Sequence, residues 1–174
     1  MLRPATPGDF GAIAALHTDS WRRNYRGALS DAFLDGPIEA ERLAPWAERL
    51  ARPGDGTVTT VAVDGDGSIT GFVHTIFDAD PADGALLENL HVRDSGKRAG
   101  LGTQLMASSA KAVLARPSPT GLYLTVLVQN TAAQAFYEAR GGTRAGEEPW
   151  DAPDGSGGST LVYRYTWPDP GVLL

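Results

Sequence analysis

The chain contains no cysteine, which excludes disulfides, thiolate metal ligands and a cysteine nucleophile. Its histidines, His17, His74 and His91, are too few and too scattered to read as a zinc site, so no metal is expected. No window approaches the roughly 18 consecutive apolar residues of a membrane span. MLRPATPGDF, at the start, has neither an apolar core nor a small-residue cleavage site. A cytoplasmic protein without membrane contact is expected. Basic charge is scarce: 15 Lys and Arg stand against 21 Asp and Glu, a net charge of −6. Such a chain lacks the basic stripe that displaces counterions from nucleic-acid phosphates, so no nucleic-acid partner is expected. No period of about 20 to 50 residues repeats, which removes solenoids and propellers.

What is present reads as one α/β domain over residues 1–174. Thr6 to Asp9 offers capping groups ahead of Phe10, Ile13, Leu16 and Trp21, a spacing that predicts an amphipathic helix to about Asn24, ended by Gly27. Ile38, Leu43, Trp46 and Leu50 predict a second helix within Pro37 to Leu50, shortened by Pro45 and stopped by Arg52, Pro53 and Gly54. The period then shortens. Val58 to Val63, a turn at Asp64 to Gly67, and Ile69 to Phe77 predict a hairpin. Ala85 to Val92 is apolar on both faces, with Leu86, Leu90 and Val92 on one parity and Leu87 on the other, as in a central strand. A helix (Gly100 to Ala115), a strand (Leu122 to Val128), a helix (Asn130 to Arg140), a glycine-rich loop (Asp154 to Gly158) and a last strand (Thr160 to Trp167) follow. The middle of this order is a βαβ crossover with another helix after it.

GKRAGLG, residues 96–102, sets Lys97 and Arg98 directly before Gly100 and Gly102 in an otherwise acidic chain. A helix starting there presents about four unpaired N–H groups and roughly half a positive charge. Glycine lets a ligand approach such a backbone closely, so the pattern predicts a phosphate, most simply a diphosphate. A Walker loop would need lysine where Thr103 stands, and a dinucleotide fingerprint a third glycine where Leu105 stands. On this motif alone, a flexible turn with solvated charges fits equally well.

Further on, Asn130 caps the helix of NTAAQAFYEARGG, with Phe136 and Tyr137 about two turns in. Together the two segments resemble the GNAT superfamily of acyl-CoA-dependent N-acetyltransferases. Lys97, Arg98, Ala99, Gly100, Leu101 and Gly102 match its first motif; Asn130, Phe136, Tyr137, Glu138 and Gly141 match its second. The likeness covers nearly the whole chain: Trp21 to Asp35 is similar to the acceptor-side helices of one subgroup, LENLHV to the fourth strand and YRYTWPDP to the closing strand. It departs at Gly142, where the family usually carries Phe or another apolar residue, and this implies weakened local packing.

The resemblance implies a central mixed, mostly antiparallel sheet flanked by helices and splayed between strands 4 and 5. It implies acetyl-CoA as co-substrate, its pantetheine arm beside Leu90, His91 and Val92 and its diphosphate against Lys97 to Thr103, with Asn130 and Tyr137 also on the cofactor side. The reaction implied is acetyl transfer to a primary amine by direct attack, with Tyr137 as general acid. Glu88, a carboxylate in a strand otherwise apolar, is the first choice of base, with His91, His74 or ordered water in reserve. His17, Trp21 and Tyr25, with Glu88, are expected to wall the site of a small-molecule or peptide amine. Core packing is the competing reading for Trp21 and Tyr137, and a non-catalytic acyl-CoA sensor or regulatory module competes for the whole chain. A homodimer, common in the family, is left open.

Overall fold

The computed structural model describes residues 1–94, 100–155 and 159–174. Along the chain lie β1 (Leu2–Pro4), α1 (Phe10–Asn24), α2 (Asp31–Asp35), α3 (Ile38–Ala51), β2 (Thr57–Val63), β3 (Ile69–Asp80) and β4 (Gly84–Val92). After these come α4 (Leu101–Leu114), β5 (Leu122–Leu127), α5 (Thr131–Glu138), β6 (Thr143–Asp151) and β7 (Ser159–Trp167). The strands form one sheet in the order β1-β2-β3-β4-β5-β7-β6. β4 and β5 run parallel and every other neighbouring pair antiparallel. This is the mixed, mostly antiparallel sheet expected, with α4 as the crossover that a parallel pair requires.

The helices divide between the two faces. Leu105, Met106, Ala110 and Val113 of α4 and Tyr137 of α5 share one core with Val73, Leu87, Leu124 and Tyr165. Ile13 and Leu16 of α1 and Trp46 and Leu50 of α3 share another with Val61 and Phe72. Asp9 fixes the head of α1. Its carboxylate accepts from the Thr6 N–H at 2.7 Å and the Thr6 hydroxyl at 2.9 Å, and from the Arg3 guanidinium at 2.7 and 2.9 Å. Hydrogen bonding to Arg3 of β1 holds the Asp9 carboxyl well below the usual carboxylate range.

α3 is longer than its sequence suggests, because it continues through Pro45. Pro45 lies on the exposed side, where water can take the Glu41 carbonyl that loses its partner, while Trp46 and Leu50 anchor the following turn at 2% and 5% exposure. β1 and β6 carry no sequence signal of the kind used above, and α2 lies within Trp21 to Asp35, read above only through its likeness to acceptor-side helices. β6 contains Gly146 and Pro149, is mostly exposed, and skips Ala145 in its register with β7. Proline is tolerated there because β6 is the last strand of the sheet.

Gly142 corrects the expectation of weakened packing. A Cβ at this position would lie 2.6 Å from Trp167 Cζ2 and 3.0 Å from the Tyr137 carbonyl oxygen. The Trp167 indole, 1% exposed and donating from Nε1 to the Arg140 carbonyl at 2.9 Å, already fills that space. Gly142→Ala is therefore expected to destabilise the protein by about 1–3 kcal/mol through overpacking. Urea denaturation checks this, and an unchanged midpoint would contradict it.

Candidate active site

The site originates in an irregularity of β4. His74 of β3 lies opposite Asn89 and Thr75 opposite Leu87, so Glu88 is an extra residue, a β-bulge. Before it, Ala85 and Leu87 face the α4-side core; after it, Leu90 and Val92 do. Simple alternation would put Glu88 on the face of Leu90 and Val92, and the bulge corrects that: Glu88 pairs instead with Arg49 of α3, on the opposite face. A bulge also bends its strand. β4 bonds to β5 only at Ala85 with Leu122 and Leu86 with Tyr123. Close approach there requires glycine, since a Cβ on Gly84 would lie 2.4 Å from the Gly121 oxygen. The strands then part, and a cleft of about 630 Å³ opens between Leu87–Val92 and Leu124–Leu127.

At one end of the cleft stands the start of α4. Gly100 caps it in the left-handed region, at φ 75, and lines the cleft mouth; a Cβ there would meet nothing within 4 Å among the described residues. The amides of Leu101, Gly102 and Thr103 precede the bond from the Gln104 N–H to the Gly100 carbonyl and have no acceptor among the described residues, which leaves them available to an anion. Gly102 answers to packing as well: a Cβ on it would lie 3.0 Å from Phe136 Cζ. Lys97, Arg98 and Ala99 fall outside the described residues, as do residues 156–158 of the glycine-rich loop. A cation that sequence reasoning missed is Arg140, which lines the same mouth. Its Nε and one terminal nitrogen donate to Thr103 Oγ1 at 2.8 and 2.5 Å, the other to the Phe136 carbonyl at 3.0 Å. Its spacing of four from Phe136 was the available signal, and the guanidinium does sit 3.7 Å from that ring's centroid.

Tyr137 lies further along the cleft, 9% exposed, its ring packed against Phe136, Tyr165 and Trp167. Asn130, also lining the cleft, caps α5 by accepting from the Ala133 N–H at 3.2 Å, and so holds the helix that carries Tyr137. Burial pushes the Tyr137 phenol far above its ordinary pKa, with a smaller contribution from Tyr25, itself pushed up to about 12 by burial. Both phenols line the cleft and stay protonated across the physiological range.

The other end is formed by Ser20, Asn24, Tyr25, Glu88 and His91. His91 Nδ1 lies 2.8 Å from Ser20 Oγ, and burial pushes the imidazole down to about 4. His17 and Trp21, 5% and 7% exposed, stand outside the lining, against the expected aromatic wall. His17 stacks on His91 with centroids 4.8 Å apart, and its Nδ1 accepts from Trp46 Nε1 at 3.1 Å. Trp21 packs with Leu29, Leu34 and Ile38. His74 also stands apart, with Nδ1 2.7 Å from Thr59 Oγ1. Glu88 is held by Arg49 at 2.6 and 3.1 Å and accepts from Asn89 at 2.8 Å. Among the described residues no cluster of His, Asp or Glu could hold a metal ion, and no helix is long and apolar enough to cross a membrane.

A model of the acetyltransferase (GNAT) family matches residues 13–142. The chain belongs to this family. It is accordingly an acetyl-CoA-dependent N-acetyltransferase. A GNAT-family acetyltransferase from Streptococcus pneumoniae shares its fold at 22% identity and TM-score 0.68, over 96% of this chain and 98% of that one. PaiA N-acetyltransferase from Thermoplasma acidophilum, solved with coenzyme A, matches at 18% identity and TM-score 0.70, over 96% and 98%. A spermidine N-acetyltransferase from Vibrio cholerae matches at 19% identity and TM-score 0.70, over 99% and 95%. No curated protein matches the sequence.

Burial lowers all three imidazoles, His74 and His91 to about 4 and His17 well below its ordinary value. Each folded pKa thus lies below the unfolded value of about 6.5. Their contribution to stability is complete above that value and is lost as the pH falls from it toward the folded pKa, because the unfolded chain protonates first. By NMR, the His91 and His74 ring protons should hold steady from about pH 8 to about pH 5.5 and titrate near 4. A midpoint near 6.5 for His91 would contradict its burial.

Proposed function

We propose that residues 1–174 work as one catalytic domain. Acetyl-CoA lies in the cleft with its diphosphate at the α4 mouth and its pantetheine arm beside Leu90, His91 and Val92. A small-molecule or peptide primary amine enters at the end formed by Ser20, Asn24, Tyr25 and Glu88. The observation that carries this reading is the unpaired edge of β4: past Leu86 it has no strand partner on the β5 side, yet Leu90, His91 and Val92 stay bonded to β3. An extended ligand bearing amides fits such an edge as an added strand would. The open mouth at Gly100 and the unpaired amides behind it match an anion at the far end of the same ligand.

Bound there, acetyl-CoA supplies a thioester open to attack by a neutral amine. The amine nitrogen bonds to the acetyl carbon, the carbon–sulfur bond breaks, and the Tyr137 hydroxyl gives its proton to the departing sulfur. Its raised pKa keeps that proton in place until the sulfur takes charge. Glu88 receives the proton lost by the amine, directly or through water, with its two oxygens oriented by Arg49 and Asn89. One observation favours a second base: His91 lines the cleft as a neutral imidazole bonded to Ser20. The buried walls keep bulk water from the thioester.

Tyr137→Phe is expected to lower kcat by about 10²- to 10⁴-fold in a thiol-release assay with a panel of amines, with little change in acetyl-CoA affinity. Equal turnover in the variant would remove Tyr137 as the acid, and no thiol release by wild type with any amine would remove the transferase chemistry. Comparing Glu88→Gln with His91→Gln assigns the base, since only loss of the true base removes the acid limb of the kcat/KM profile.

A further inference from the structure

Arg140 sits just past α5 and lines the cleft where α4 begins. Three of its guanidinium N–H groups are engaged, two by Thr103 Oγ1 and one by the Phe136 carbonyl. A guanidinium carries five such groups, so two are left over at the cleft mouth. Arg140 forms no ion pair among the described residues, in contrast to Arg3, Arg23, Arg26, Arg49, Arg116 and Arg164. The Phe136 ring, 3.7 Å from the guanidinium carbon, covers one face and fixes the plane of the fork. Thr103 is the third residue of α4, so its hydroxyl places this cation within one side chain of the unpaired amides.

A half-buried, oriented cation with spare donors and no carboxylate partner suits a permanent anion. We propose that Arg140 is a binding residue for the diphosphate of acetyl-CoA, closing on it from the α5 side while the α4 amides hold it from below. This rests on the cofactor placement proposed above. The Thr103 hydroxyl serves as a positioning group, holding the fork in its binding orientation before the ligand arrives.

Calorimetry of wild type and Arg140→Met with coenzyme A, 3′-dephospho-coenzyme A and pantetheine tests the assignment. The variant is expected to bind both nucleotide ligands about ten- to a hundredfold more weakly, the range of a hydrogen-bonded ion contact, and pantetheine as wild type does. Weakening for coenzyme A alone would move Arg140 to the 3′-phosphate and overturn the diphosphate assignment. Equal weakening for all three ligands, or none, would leave Arg140 as a support for Phe136. Should Arg140→Met fail to fold, Arg140→Lys keeps the stem and the charge but loses the fork. It is then expected to weaken the two nucleotide ligands a few-fold and spare pantetheine, and an equal effect on all three overturns the proposal. Wild type that binds none of the ligands overturns the cofactor placement itself, whereas wild-type binding matched by the variant overturns only the role of Arg140.

Discussion

The chemistry of this fold depends on a sheet left unfinished at its centre. A parallel pair joined at two positions and then released is costly unless something else satisfies the freed edges. The bulge at Glu88 supplies the bend, and the Gly84–Gly121 approach holds the strands together at the closed end. Because β4 stays bonded to β3 and β5 to β7, the opening is rigid on both sides. A cleft made this way presents backbone groups at fixed positions, and side chains need only tune it.

Charge along the cleft is graded. One end has the α4 amides and Arg140, while further in are the Tyr25 and Tyr137 phenols and the His91 imidazole, which burial keeps uncharged near neutral pH. The carboxylate at the far end, Glu88, is matched by Arg49 rather than left bare. A chain of net charge −6 can thus offer an anion a local site, since a helix mouth and one oriented guanidinium need no basic surface around them.

Much of this was legible beforehand, and the failures have physical causes. The hairpin, the central strand, α4 and α5 were readable because their apolar periods are regular and their ends carry glycine or Asn130. β6 was not, since an exposed edge strand with Gly146 and Pro149 has no buried face to impose alternation. Pro45 misled because one exposed turn without its hydrogen bond is offset by Trp46 and Leu50. Glu88 was found as a residue and misplaced as a direction, because a bulge leaves no mark in the apolar pattern. His17 and Trp21 share a helix face with Tyr25, but of these three only Tyr25, just past the end of α1, reaches the cleft, while the other two pack in buried clusters. Arg140 was overlooked because an arginine near a helix end is ordinarily a solvated charge.

Glycines in and beside the two family motifs show how closely packing and the cleft are joined. Gly100 serves the backbone turn, Gly102 makes room for the Phe136 ring, and Gly142 makes room for the Trp167 indole. Phe136 in turn carries Arg140, and Trp167 flanks Tyr137. α5 therefore seats the proposed acid and the proposed anion-binding cation through adjacent contacts, Tyr137 in the core and Phe136 against Gly102. A shift of α5 relative to α4 moves both groups together. On the proposed placement of acetyl-CoA, contact between these two segments is what keeps the groups at its sulfur end and its phosphate end in register, even though their residues lie more than thirty positions apart in the chain.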